Sequence, residues 1–184
     1  MLELFPHLPL HPLRPYPHAL HPRAPRSDCW EQKSPPRDPV TDELRADPVR
    51  FPHGMAALGA YVTAANVSFA VYSAANTETC GGYPASLGHE ALDAATFASW
   101  NVSYLKFDGC APSTNGYATA YKAMGAALEA TGRDIVYSCS WPAYINQPHE
   151  DQQPFGEFIM IGCNLWRNYE CVQRARRRAQ IRVK

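Results

Sequence analysis

The sequence predicts an α/β fold built around a parallel sheet, and three observations carry that prediction. Apolar, β-prone runs begin near residues 67, 102, 135 and 163, at spacings of roughly thirty residues, the length of one strand-helix unit. Stretches with helical apolar spacing separate them. Finally, 184 residues with 46 % hydrophobic and 11 % aromatic side chains suffice to bury the core of one ordinary domain.

The elements follow in order. Residues 1–26 are expected to be disordered, because seven prolines and four histidines within the first 25 positions can neither continue a helix nor occupy a central strand. The histidines have prolines between them and no cysteine or carboxylate cluster nearby, which reads as a low-complexity tract rather than a metal site. Ser34 to Pro52, rich in proline and charge, is expected to be a long surface loop. Met55, Leu58 and Val62 give the first helix one apolar face, and Val67–Tyr72 forms a short strand. A second helix spans about Glu90 to Trp100 and leads into strand Val102–Asp108. The third helix aligns Ala120, Met124, Ala127 and Leu128 and stops at Gly132, a usual residue just past a helix end. Strand Ile135–Ser140 follows, then a loop with a weak helix and a last strand near Cys163–Arg167. The organisation expected is a disordered segment 1–26, a folded domain 27–170 and a basic tail 171–184.

Charge sets body and tail apart. Lys+Arg and Asp+Glu number 17 each, but residues 171–184 hold six basic residues and no acid, leaving 11 basic against 17 acidic in the body. Such a tail suits a nucleic-acid patch in isolation. With no aromatics among its bases and an acidic body behind it, nucleic acid is not the expected partner. The chain has no run of eighteen apolar residues, so no membrane-spanning helix is expected. Six cysteines (Cys29, Cys80, Cys110, Cys139, Cys163, Cys171) form no CxxC or Cys/His cluster, which favours disulfides over a metal. Two sequons, Asn66-Val67-Ser68 and Asn101-Val102-Ser103, fit a secreted or lumenal protein. Against that, proline interrupts every apolar stretch of the N-terminus, and no signal peptide is visible.

Alternation along Tyr104-Leu105-Lys106-Phe107-Asp108-Gly109-Cys110 puts Lys106 and Asp108 on one strand face and Leu105 and Phe107 on the other. A lysine and an aspartate at the C-terminal end of a parallel strand stand where barrel enzymes place catalytic groups. A buried ion pair ending a strand is the other reading, and the pattern alone does not choose. A complete (β/α)8 barrel takes about 250 residues, so barrel chemistry in this chain means part of a barrel.

Five stretches read together decide the matter: Asp28-Cys29-Trp30; Ala46-Asp47-Pro48 through Phe51-Pro52-His53-Gly54; Tyr104 to Cys110; Ser138-Cys139-Ser140-Trp141-Pro142-Ala143-Tyr144; and Cys163-Asn164-Leu165-Trp166-Arg167-Asn168-Tyr169. In order and in spacing they resemble the α-galactosidase and α-N-acetylgalactosaminidase family of retaining glycosidases. The resemblance implies a partial (β/α)8 (TIM) barrel of about four strand-helix units. It implies cleavage of terminal α-linked galactose or N-acetylgalactosamine from glycolipids or glycoproteins, in lysosomes or outside cells, by enzymes that commonly form homodimers.

By the same resemblance Asp108 is the nucleophile, with Lys106 hydrogen-bonding sugar hydroxyls and helping to keep it ionised. Asp28, Tyr72, Cys80, Tyr144 and Arg167 match positions lining the sugar pocket, and Trp141 is suited either to packing on the sugar or to the core. Ser140 and Ala143 stand where α-galactosidases carry a glutamate and a leucine. The smaller pair leaves room for a 2-acetamido group, which the serine hydroxyl can meet, and so favours N-acetylgalactosamine. Cys80 with Cys110 and Cys139 with Cys163 match family disulfides. No metal or organic cofactor is implied, since two carboxyl groups suffice for the reaction.

The match breaks at the second carboxyl group. The family's acid/base aspartate falls at Cys171; Glu170 is one residue early, which on a strand turns it to the opposite face. Upstream, Ser27 occupies the place of a second sugar-binding aspartate, and Cys29 lacks its partner. These departures lead to the expectation of an incomplete enzyme, either a splice or gene-model fragment without turnover or a non-catalytic sugar-binding protein.

Overall fold

A computed structural model describes residues 30–110, 113–145 and 153–167. Ser27, Asp28, Cys29, Asn168, Tyr169, Glu170 and Cys171, with the whole of the tract 1–26 and of the tail 171–184, lie outside the described residues.

Helix α1 (Gly54–Ala64) precedes strand β1 (Ala70–Ala74), α2 (Glu90–Ser99) precedes β2 (Tyr104–Asp108), and α3 (Tyr117–Ala130) precedes β3 (Val136–Cys139). A 3₁₀ turn at Trp141–Tyr144 and helix α4 (Phe155–Met160) lead to β4 (Leu165–Trp166). The four strands form one sheet in the order β1-β2-β3-β4, with every pairing parallel. This is the strand-helix repeat expected from the sequence.

Strand boundaries shift from expectation, β2 starting at Tyr104 rather than Val102 and β3 spanning Val136–Cys139 rather than Ile135–Ser140. The first strand starts at Ala70 rather than Val67, because residues 65–68 form the turn that ends α1, with Asn66 in the left-handed region at φ 58°. The last strand is only two residues long. Residues 34–52 form no helix or named strand and lie largely at the surface, as expected of a long loop, but they are anchored to the body. Bridges Glu31↔Ala46 and Arg37↔Leu44 fold the segment back on itself. Leu44 is buried in the core. Arg37 forms a two-pronged ion pair with the buried Asp93 of α2, at 2.8 and 2.9 Å. A fully desolvated carboxylate persists only when its lone pairs are met in this way.

The core lies between the sheet and its helices. Leu105 and Phe107 turn to that side, fully buried, and Phe107 meets Tyr121 of α3, whose hydroxyl donates to the Phe107 carbonyl at 3.0 Å. Ala120, Met124 and Leu128 of the predicted stripe are buried, and Gly132 adopts φ 66° past the helix end. Alternation therefore leaves Tyr72, Lys106, Asp108 and Ser138 on the opposite sheet face, Tyr72 and Ser138 flanking Lys106 in register.

Candidate active site

Asp108 is the last residue of β2, and its side chain is 6 % exposed. The hydroxyl of Tyr144, from the 3₁₀ turn after β3, donates to Oδ1 at 2.6 Å, and the Gly109 amide donates to the same oxygen at 2.9 Å. On Oδ2, the Tyr72 hydroxyl donates at 3.4 Å and Lys106 Nζ lies 3.4 Å away. Arg167 Nη2, one residue past β4, is 3.6 Å from Oδ1. All four strands thus contribute, and all from C-terminal ends or inner-face positions.

The electrostatics follow from this geometry. Burial on its own would raise the Asp108 pKa. The hydrogen bonds from Tyr144 and Gly109 and the charges of Lys106 and Arg167 outweigh burial and hold it below the ordinary carboxylate value. Tyr144 moves the other way: burial first, then donation to a carboxylate and the carboxylate's charge, all favour its protonated form. The site therefore holds an ionised aspartate beside a protonated phenol. Lys106 and Arg167 keep 45 % and 40 % of their side chains exposed, so both cations remain open to a ligand on the inner face. Each also lies over a ring, Lys106 Nζ 4.8 Å from the Tyr72 centroid and Arg167 Cζ 5.5 Å from that of Tyr144.

The two disulfides are Cys80–Cys110 and Cys139–Cys163. The first ties the loop after β1 to the loop after β2, and its sulfurs lie beside Tyr72 and Tyr144. Cys80, Cys110 and Asp108 group as metal-binding residue types, but the two sulfurs are bonded to each other and offer no thiolate.

Five predicted residues therefore converge: Tyr72, Lys106, Asp108, Tyr144 and Arg167, with Cys80 at the edge. Ser140 and Ala143 sit on the turn that delivers Tyr144. Ser140 is 2 % exposed, its amide bonded to the Phe107 carbonyl, and Ala143 is half-buried. Asp28 lies outside the described residues. Trp141 belongs to the core, packed against Tyr121 and edge-to-face with Phe158.

Gly109 has a part that alternation could not supply. Its amide holds Asp108, and a Cβ there would stand 2.7 Å from two carbons of the buried Tyr117 ring. A glycine directly after a strand-end aspartate is the signal that could have found it.

The sequence profile described as alpha galactosidase A matches residues 25–181. The chain belongs to the alpha galactosidase A family. It is 45 % identical to alpha-galactosidase A of Homo sapiens, over 77 % of this chain and 32 % of that protein. Identity to alpha-N-acetylgalactosaminidase of Gallus gallus is 46 %, over 79 % of this chain and 35 % of that protein. Among solved structures, alpha-galactosidase I from Mortierella vinacea superimposes with a TM-score of 0.62 at 35 % identity, covering 76 % of this chain and 34 % of that one. The parallel strand-helix units are accordingly a part of the family's barrel, as expected. The chain spans about a third of the length of the curated relatives it matches.

Proposed function

We propose that the chain carries the nucleophile half of a retaining glycosidase site for terminal α-linked N-acetylgalactosamine. The observation that carries this is the ionised Asp108 at a strand end, bracketed by Lys106, Arg167, Tyr72 and Tyr144. An Asp108 oxygen attacks the anomeric carbon, the bond to the aglycone oxygen breaks, and that oxygen takes a proton from a second carboxyl group. Water then cleaves the glycosyl ester, giving its proton to the same group. Lys106 and Arg167 hydrogen-bond sugar hydroxyls while keeping the nucleophile charged. Asp28 adds a further contact to the sugar, and Cys80, through its disulfide, holds the loop beside it. The small Ser140 and Ala143 leave space at the 2-position and favour the acetamido sugar. A secretory or lysosomal compartment suits this reading, since two disulfides persist only where thiols are oxidised.

Cys171 favours a second reading, in which the pocket binds sugar without turnover. It stands where the family's acid/base aspartate is expected, and a thiol is too weak an acid to protonate a leaving alkoxide as a carboxyl group does.

One pair of measurements tests both. Titration with N-acetylgalactosamine and with galactose is expected to show binding that favours the former and is weakened by K106A. Hydrolysis of an aryl α-N-acetylgalactosaminide is expected to be undetectable. Turnover lost in D108N establishes the full enzyme reading; absence of binding to either sugar overturns both.

A further inference from the structure

The two sequons are the same tripeptide, each placed where a helix turns into a strand, yet the fold treats them differently. Asn66 follows the end of α1 and Asn101 the end of α2, both in the left-handed conformation, at φ 58° and 64°. Asparagine tolerates that conformation, which accounts for the asparagines but not for the serines two residues on. The difference lies in the distance to the sheet. The amide of Ser103 bonds the Phe69 carbonyl, so Ser103 is level with Phe69, and the Asn66 sequon stands one residue further from the paired strand. One residue of offset reverses the facing of a side chain. Val102 is accordingly 0 % exposed, whereas Val67 is 58 % exposed.

At the second sequon, Ser103 is also held by its side chain, which donates to the Phe69 carbonyl at 3.2 Å, and the Asn101 amide nitrogen donates to Thr63 Oγ1 at 2.9 Å. Pairing of β1 with β2 withdraws that tripeptide. At the first sequon Asn66, Val67 and Ser68 are all exposed.

We infer that Asn66 is an N-glycosylation site of this chain and that it is occupied in preference to Asn101. The donor is a lipid-pyrophosphate-linked oligosaccharide. The Asn66 amide nitrogen bonds to the anomeric carbon, the bond from that carbon to the pyrophosphate oxygen breaks, the lipid pyrophosphate leaves with the electron pair, and the amide proton passes to solvent. The inference rests on the two disulfides and the exposure of one turn, and not on the role of Asp108. Asn66 precedes the N-terminal end of the sheet and Asp108 ends β2, so the five residues of β1, at about 3.3 Å each, separate the glycan from the carboxylate by roughly 15 Å. A bulky, solubilising group there covers Val67 and leaves the Asp108 end open.

The test is production of the full chain in a secretory host, with an appended cleavable leader, followed by enzymatic deglycosylation and peptide mapping of asparagines converted to aspartate. Conversion at Asn66 is expected to exceed that at Asn101 several-fold. S68A is expected to abolish the Asn66 glycan, N66G to remove it while keeping the turn conformation, and S103A to leave it in place. The glycan is expected to persist in D108N, which separates this result from the sugar-binding reading. No conversion at Asn66, or equal or greater conversion at Asn101, overturns the inference.

Discussion

Asp108 is stabilised in its charged form by Tyr144 and Arg167, which follow β3 and β4, by Lys106 on its own strand, and by its own following amide. Its folded pKa lies below the unfolded carboxylate value of about 3.9. The stabilisation this provides is therefore fully present above that pH and is lost as pH falls through the lower folded value. The acid limb of stability of D108N is expected to be flatter than that of the parent chain; parallel curves in pH-dependent denaturant titrations would contradict this. Y144F removes the shortest bond to the carboxylate and is expected to raise the Asp108 pKa, read by carboxyl carbon NMR. Beside it, G109A forces a methyl group against the Tyr117 ring and is expected to cost about 1–3 kcal/mol, as overpacking does. An unchanged denaturation midpoint would show that Tyr117 can move.

At the scale of elements, the disulfide Cys80–Cys110 ties the loop after β1 to the site and closes a separation of 30 residues. Its removal in C80S/C110S is expected to lower stability by about 3 kcal/mol and to weaken sugar binding, since Tyr72 and Tyr144 both lie against it. Equal binding in the reduced and oxidised proteins would show that the loop is positioned by other means. Much at this scale was legible in the sequence. The alternation through Lys106 and Asp108 gave their shared face, and the thirty-residue rhythm gave the parallel sheet. The anchoring of the 34–52 loop was not legible, because it comes from Arg37 reaching Asp93 and from Leu44 entering the core, contacts that leave no local periodicity. The two-residue β4 was hidden too: Trp166 packs on Phe155 and Phe158 from α4, and an aromatic cluster reads the same in a strand or a turn. The convergence of Tyr144 and Arg167 on Asp108 came from family resemblance; spacing alone could not place residues 36 and 59 positions away.

Over the whole molecule, the described residues form an open sheet, with β1 and β4 at its ends and Leu165 exposed on the inner face. Unpaired strand edges are templates for association. The chain is expected to sediment as concentration-dependent oligomers, and a strictly monomeric species across the accessible concentration range would contradict this. Sugar chemistry in this chain requires Asp108 to be an ionised nucleophile that faces the bound sugar. The most direct test is labelling with a galacto-configured aziridine carrying a 2-acetamido group, followed by peptide mapping. The expected result is one ester adduct on Asp108, slowed by free N-acetylgalactosamine and absent in D108N; adducts spread over other carboxylates, or none on Asp108, would contradict the account.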